Sequence, residues 1–400
     1  MMKILIKREQ SKTACFAERE ESRTKFKIKS FLVAAIAVAF VAPMFTACGD
    51  DDKSDTVESI VSEYTVNDQM VANQKAKSGK NVAVLLVAFG STWNNAFQAF
   101  DKTKAAYEAA FPNADVYVCF SSDICINRAS AGENTDDNGN IVRRDYYEPR
   151  YLLHAIGAAK YGTIYVQSLQ VIPGEEFAAV VAAVKKFMNN GYIATAHLDD
   201  EYLAQLEANE SIFLGMPLLS DPDEDIPQVA KELNALYSSE AKEGAVAFMG
   251  HGNPDTYDTF KANVRYVQLE EALQAYNPNF YVGTVDMPDN YKQDVLGRMN
   301  DNGISSGKLY LHALMSIAGD HAHNDMAGQG DEYWDPEDPE SEDNSWYEYF
   351  GHNGFESIVP LSGKHPLGLL ELPGVLQVWI NHTKNAEFLE DAYHSMYPEE

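Results

Sequence analysis

Residues Val82 to Phe89 form an unbroken apolar, β-branched run, and this run constrains the fold most tightly. A strand with one wet face alternates apolar and polar side chains. A run without alternation must be buried on both faces, as an interior strand is in a parallel sheet covered by helices. Gly90-Ser91-Thr92 supplies a turn, and Trp93 to Phe111 follows helical spacing with Ser91 or Thr92 in capping position. The alternation continues with strands at Asp115–Phe120 and Thr163–Leu169, a helix at Tyr147–Lys160, and a helix over Gly174–Met188 opened by Pro173. The second half repeats it, with strands at Ala245–Met249, Phe280–Val285 and Lys308–Met315 and a helix near Tyr291–Asn302. Strands alternating with helices predict an α/β chain with two lobes, each a parallel β-sheet flanked by helices, and a cleft between them.

With 45% apolar residues in 400, a sizeable core is available and wholesale disorder is excluded. The formal charge is −29, and the first 47 residues carry nine Lys/Arg against four Asp/Glu, so their removal leaves the chain more acidic still. Such a surface repels phosphate backbones, which argues against nucleic-acid binding as the main function.

The N-terminus reads as an export signal. Lys25, Lys27 and Lys29 precede an apolar run from Phe31 to Phe45, which suits a signal-peptide core better than a membrane span. It ends in Phe45-Thr46-Ala47-Cys48-Gly49, which resembles a bacterial lipobox, with Cys48 as the residue that receives lipid. The predicted organisation is therefore a lipoprotein signal peptide over 1–47, an acidic flexible tether over 48–80 with room for one short helix, an N-terminal lobe over 81–240 and a C-terminal lobe over 241–400. The mature protein is expected to be exported and anchored to a membrane surface through Cys48, on the periplasmic or the outer face. Cys119 and Cys125 remain; their spacing leaves a disulfide and a pair of free thiols equally open. No CxxC occurs, so no cysteine-built structural zinc site is expected. The acidic stretch near 328–344, punctuated by Pro336 and Pro339, reads as a solvated insertion, with a weak cation patch as the lesser alternative.

Ligands of parallel sheets sit beyond the carboxyl ends of the strands. Those ends carry Gly90-Ser91-Thr92, then Gln170 through Glu175-Glu176, Gly250-His251-Gly252, Val285-Asp286, and Gly319-Asp320-His321-Ala322-His323-Asn324-Asp325. His, Asp, Glu and Gln are metal-ligand and proton-transfer residue types. Each also has a structural reading. His251 could merely sit in a tight turn. His321 could hold its own loop through neighbouring Asp and Asn groups rather than bind a ligand. Glu175 and Glu176 fall in a first helical turn, where carboxylates are favoured by the dipole. No GxGxxG, GxxxxGK, HExxH or GxSxG occurs in a supporting context.

Several segments, in order, resemble the anaerobic sirohydrochlorin cobaltochelatases of the CbiK type. They are Val84–Ser91, Val166–Leu169 with Ile172–Phe177, Gly215–Leu219, Phe248–Gly252, Gly283–Asp286, and Ala318–Ala322 with Asn324–Met326. The resemblance covers roughly residues 80 to 390. It implies a class II chelatase fold of two α/β lobes and an enzyme, a metal–tetrapyrrole lyase of anaerobic cobalamin biosynthesis. Co²⁺ would be the substrate metal, with Fe²⁺ or Ni²⁺ as alternatives and no organic cofactor. The implied partners are a tetrapyrrole, a divalent metal and a membrane; a homo-oligomer is left open. The alternative is an exported lipoprotein that binds a tetrapyrrole, haem or a metal on the same scaffold without efficient catalysis.

By the same resemblance, two histidines facing the cleft hold the metal. One carries over to His251; at the other position this chain has Gln170, and Met216 stands where some relatives have an acidic ligand. An imidazole can ligate a metal and accept a proton near neutral pH, whereas an amide oxygen is a weak ligand and no useful base. The implied catalytic set is His251, Gln170, Glu175 and Asp286, with His251 and Gln170 at the metal and Gly90, Ser91, Thr92 and His321 on the tetrapyrrole. His321, His312 and Glu175 are the candidates to compensate for Gln170.

Overall fold

The structure, a computed structural model, describes residues 57–389 apart from 134, 137 and 193–195. The predicted signal segment, Cys48 and the first part of the tether lie outside the described residues. The first half of the chain runs α1 (Val57–Ser78), β1 (Val82–Ala88), α2 (Asn94–Ala110), β2 (Ala114–Phe120), α3 (Asp123–Ala131), α4 (Pro149–Ala158), β3 (Thr163–Ser168), α5 (Glu175–Met188), α6 (Asp200–Ala208), β4 (Ile212–Gly215) and α7 (Asp225–Tyr237). The second runs through the single turn α8 (Glu240–Glu243), β5 (Ala245–Gly250), α9 (Val264–Gln274), β6 (Phe280–Thr284), α10 (Lys292–Asp301), β7 (Gly307–Ala313), a π-helical turn (His321–Met326), α11 (Trp346–His352), β8 (Phe355–Ile358), α12 (Pro373–Lys384) and β9 (Glu387–Phe388).

Two sheets result. The first has the order β2-β1-β3-β4-β9 and the second β6-β5-β7-β8. All pairings are parallel except β4 with β9. The two four-strand cores share one winding: the first strand is central, the second lies on one side of it, and the third and fourth lie on the other. Each sheet therefore has a switch point between its first and third strands, the place where open α/β sheets bind ligands. Six of the seven β1 residues are fully buried, as the uninterrupted apolar run requires. One apolar core runs from the inner face of the first sheet to that of the second, through Leu86, Phe97, Phe120, Leu233, Phe248 and Trp379. The outer faces bury separate clusters, centred on residues such as Val166 and Phe187 in the first lobe and Leu311 and Phe350 in the second.

Two expectations need correction. Residues 57–78 form a 22-residue helix rather than a flexible tether. This helix packs on α4: Tyr64 and Val71 are buried, Tyr64 meets Tyr151 edge-on at 4.7 Å, and Asp68 Oδ1 lies 2.9 Å from His154 Nδ1. Tyr64 and Val71 lie two turns apart on one face, and the exposed Val66 and Met70 blur the stripe in the sequence. The second lobe does not run to residue 400. His382 Nε2 on α12 lies 2.8 Å from Asp225 Oδ1, Trp379 Nε1–H donates to the Gln170 carbonyl at 3.3 Å, and β9 completes the first sheet. The acidic insertion is solvated as expected, with residues 329–332 and 335–340 exposed, and it is anchored near its C-terminal end. Lys292, only 5% exposed, donates to the carbonyls of Ser341 (2.9 Å) and Glu342 (3.2 Å), and Asn344 and Ser345 are buried. Cys119 and Cys125 are free thiols, Cys119 buried with its Sγ–H directed at the Leu86 carbonyl, 3.5 Å away.

Candidate active site

The turn after β5 is built so that a histidine can stand open. A Cβ on Gly250 would lie 2.5 Å from Tyr266 Cε1, and Gly252 has φ +77° with Met287 N 2.8 Å from where its Cβ would be. Only glycine fits either place without displacing backbone or ring. Between them, the His251 carbonyl accepts from the N–H groups of Val285 (3.1 Å) and Asp286 (2.9 Å). The ring Nδ1 lies 2.7 Å from the Gly252 carbonyl oxygen. A carbonyl only accepts, so Nδ1 carries the proton and Nε2 keeps its lone pair. That Nε2 lies 3.7 Å from Asp286 Oδ2, and both side chains are a little over 40% exposed.

His321 approaches from the other central loop of the same lobe. It opens the π-helical turn after β7, and its ring meets His251 edge-on with centroids 4.9 Å apart. Nδ1 lies 2.5 Å from Asp325 Oδ2, one turn on. Burial works against its protonation, but the hydrogen bond and charge of Asp325, with the charges of Asp286 and Asp320, hold the imidazole above its ordinary value.

The first lobe contributes through the N-terminus of α5. Burial raises the Glu176 carboxyl above the usual range, against the pull of His251 and His321 beside it. Glu175 faces a different way. Its Oε1 accepts from the Thr259 N–H at 2.6 Å, tying the lobes together, and its Oε2 is enclosed without a hydrogen-bond partner. Adjacent residues of a helix project about 100° apart, and here that separates a strut from a cleft carboxylate. The expectation of Glu175 as the catalytic carboxylate is corrected to this extent: its Oε1 is engaged by Thr259, whereas the charges of both histidines act on Glu176.

Gln170 is 5% exposed. Its carboxamide oxygen accepts from the Ser168 hydroxyl, its carbonyl accepts from Leu218 N at 3.1 Å, and its Nε2 is enclosed without a partner. The expectation of an amide ligand opposing His251 is corrected to this extent: that oxygen is already occupied within its own lobe. His312 is also committed elsewhere, with Nε2 2.6 Å from Glu240 Oε2 and its ring 3.9 Å from that of Tyr237. At the first switch point, Gly90 (φ +120°) lets the chain pass 2.8 Å from Cys125 and Phe120, measured from the Cβ it lacks. Ser91 is buried, accepts from the Trp93 N–H at 3.2 Å and lies against Gly319 of the second lobe; Thr92 is half-buried beside it.

The structure thus gathers His251, Asp286 and His321 of one lobe with Glu176 of the other. Asp325, which holds His321, lies in the cluster that the sequence singles out, and the reading of His321 as held by a neighbouring Asp is met; Tyr266, which packs against Gly250 and meets the Gly252 N–H, carries no motif of its own in the sequence. Among the described residues no three His, Cys, Asp or Glu side chains are arranged as a ready-made metal cage. Two imidazoles and two carboxylates can accept and pass protons and offer single ligands to an ion in transit.

The family model for cobalt chelatase (CbiK) matches residues 82–387. Sirohydrochlorin cobaltochelatase CbiKC of Nitratidesulfovibrio vulgaris is 27% identical over 303 residues, 75% of this chain and 88% of that protein. The sirohydrochlorin cobaltochelatase of Salmonella typhimurium is 28% identical over 310 residues, 76% of this chain and 96% of that one. Among solved structures, SirB from Bacillus subtilis with Fe³⁺ resembles it at a TM-score of 0.45 and 14% identity, over 78% of this chain and 98% of that one. With a family match over residues 82–387, most of its length, this chain belongs to the cobalt chelatase (CbiK) family.

Proposed function

We propose that this chain inserts Co²⁺ into sirohydrochlorin. The observation that carries the reading is the meeting of His251, Asp286 and His321 with Glu176 at the strand ends of the two lobes. The names of the two relatives support the choice of substrate and metal.

Insertion exchanges two pyrrole N–H protons for one divalent ion. His251 Nε2, its tautomer set by the Gly252 carbonyl, takes the first proton. Asp286, 3.7 Å away, stabilises the imidazolium that forms. Glu176, with its carboxyl raised by burial, receives the second and returns it to solvent. The metal is substrate and passes from single cleft ligands to four pyrrole nitrogens. A macrocycle with carboxylate arms approaches a chain of formal charge −29 and needs local positive groups. His321, held toward its charged form by Asp325, supplies one.

We assign export and lipid attachment at Cys48 on the strength of the leader sequence. The mass of the mature N-terminal peptide tests this; an unmodified Cys48 in the mature protein would refute it.

The test of the activity is absorbance-monitored metallation of sirohydrochlorin by the full-length chain with Co²⁺, Fe²⁺ and Ni²⁺. Turnover with Co²⁺ that falls at least about a hundredfold in His251→Ala is expected. Absence of turnover with all three ions would overturn the reading, and a preference for Fe²⁺ or Ni²⁺ would overturn the choice of metal.

A further inference from the structure

The π-helical turn His321–Met326 carries two imidazoles that go separate ways. His321 joins His251 at the cleft. His323 lies flat on the indole of Trp93, with centroids 3.7 Å apart and planes within 2° of parallel. It also meets His365 edge-on at 5.2 Å and 73°. Trp93 is itself held in place, its Nε1–H donating to Asp320 Oδ1 at 2.7 Å. The indole occupies the face of His323 and leaves its ring nitrogens to other partners, and Nε2 is enclosed with no hydrogen-bond partner.

An enclosed ring nitrogen with nothing to bond gives up its water for no return, and native folds keep such groups where an ion or other ligand meets them. The neighbouring imidazole names the kind of ligand. Two histidines sharing an ion at metal–nitrogen distances of about 2.1 Å place their ring centres about 5 Å apart. The His323–His365 separation matches that spacing. Imidazole suits first-row transition ions, whereas Ca²⁺ and Mg²⁺ require oxygen donors.

We propose that His323 and His365 form a second transition-metal site, distinct from the His251 cleft and roofed by Trp93, that takes a divalent ion such as Co²⁺ or Ni²⁺. Two imidazoles supply only part of an ion's coordination shell, so the site binds the ion reversibly rather than as a closed structural cage. The proposal is independent of chelation: it concerns ion binding by these residues and stands or falls without any tetrapyrrole.

The indole stacked on His323 provides the readout. Open-shell Co²⁺ and Ni²⁺ quench an indole close to them. The full-length chain is titrated with Co²⁺ alone while tryptophan emission is followed, and bound metal is counted by equilibrium dialysis. Trp93→Phe identifies the part of the emission that Trp93 contributes. The site predicts saturable quenching of that part, weakened at least about tenfold in apparent affinity by His365→Ala and by His323→Ala, and retained in His251→Ala. Each histidine variant binds one ion fewer than the parent. His365 lies on a turn closed by the Ser362–His365 bridge, so His365→Ala decides the question should His323→Ala fail to fold. Quenching that is unchanged in His365→Ala, or that is lost only in His251→Ala, would overturn the proposal and leave the Trp93–His323 stack as a purely structural contact between the lobes.

Discussion

Gly252→Ala tests whether backbone geometry, rather than the histidine alone, makes the Gly-His-Gly turn work. The cost has two parts. Gly252 has φ +77°, and an L-residue in that region costs about 1–2 kcal/mol. The new methyl would also lie 2.7 Å from Met287 Cβ, 2.8 Å from Met287 N and 3.0 Å from Thr284 Cβ. These atoms belong to or adjoin the backbone and cannot swing aside, so overpacking adds about 1–3 kcal/mol. The expected loss is therefore about 2–5 kcal/mol. Gly303 is the matched control: its φ is +79° at the end of α10, and a Cβ there meets nothing within 4 Å. Gly303→Ala should show the backbone part alone, about 1–2 kcal/mol. Urea unfolding gives both values, and the difference between them is the clash. Relief of the clash moves the 251–252 turn and with it the imidazole, so turnover should fall about 10- to 100-fold in Gly252→Ala. It should stay at the parental level in Gly303→Ala. Equal destabilisation of the two variants, with parental turnover in Gly252→Ala, would refute the reasoning.

Further predictions follow from individual contacts. Asp286→Asn should lower kcat about 10- to 100-fold in the metallation assay, as loss of a carboxylate that supports a working histidine does elsewhere; parental kcat would remove Asp286 from the mechanism. Asp325→Asn should act mainly on KM for the tetrapyrrole, because His321 then loses the bond that holds it toward its charged form. His382 is raised above its ordinary value: burial opposes the charge, but Asp225 prevails. A raised folded value stabilises the fold below about pH 6.5, and the contribution is lost as pH rises through the folded value. His382→Gln should therefore lower the urea midpoint more at about pH 5.5 than at about pH 9; equal losses would show that the Asp225 pair does not carry the effect. Lys292→Met should loosen the acidic insertion by about 2 kcal/mol, seen as faster proteolysis within residues 328–344; unchanged cleavage would mean that other contacts hold it.

Much of the sheet architecture is legible in the sequence because parallel strands covered by helices on both faces are largely apolar. The runs at Val82, Thr163, Ala245, Phe280 and Lys308 all become strands within a residue or two of their expected ends. The rule that ligands gather at carboxyl ends of strands then isolates Gly250-His251-Gly252, Asp286 and His321 from the linear pattern alone. Other features leave no such signature. Helix α1 buries mainly Tyr64, Asn67 and Val71, while its apolar Val66 and Met70 stay exposed. Strand β4 is only four residues long. The choice between Glu175 and Glu176 depends on one step of helix rotation, and the start of α5 is set by packing against the second lobe. Nothing in the residues around Gln170 signals that its amide turns toward Ser168.

By itself the sequence determined the class of fold, the positions of most interior strands and the residue types at their ends. These follow from local rules: uninterrupted apolar runs cannot face water, and glycine must stand where side chains cannot. The tertiary structure alone decided that both sheets share one winding, that a common core joins the lobes, and that α12 and β9 return to the first sheet. It also decided partners. His251 meets Asp286, His321 turns to the cleft, and His323, two residues on, leaves it for Trp93 and His365. Those pairings join residues up to 230 positions apart. They depend on how two packed sheets are docked, a long-range property that no local pattern of side chains encodes.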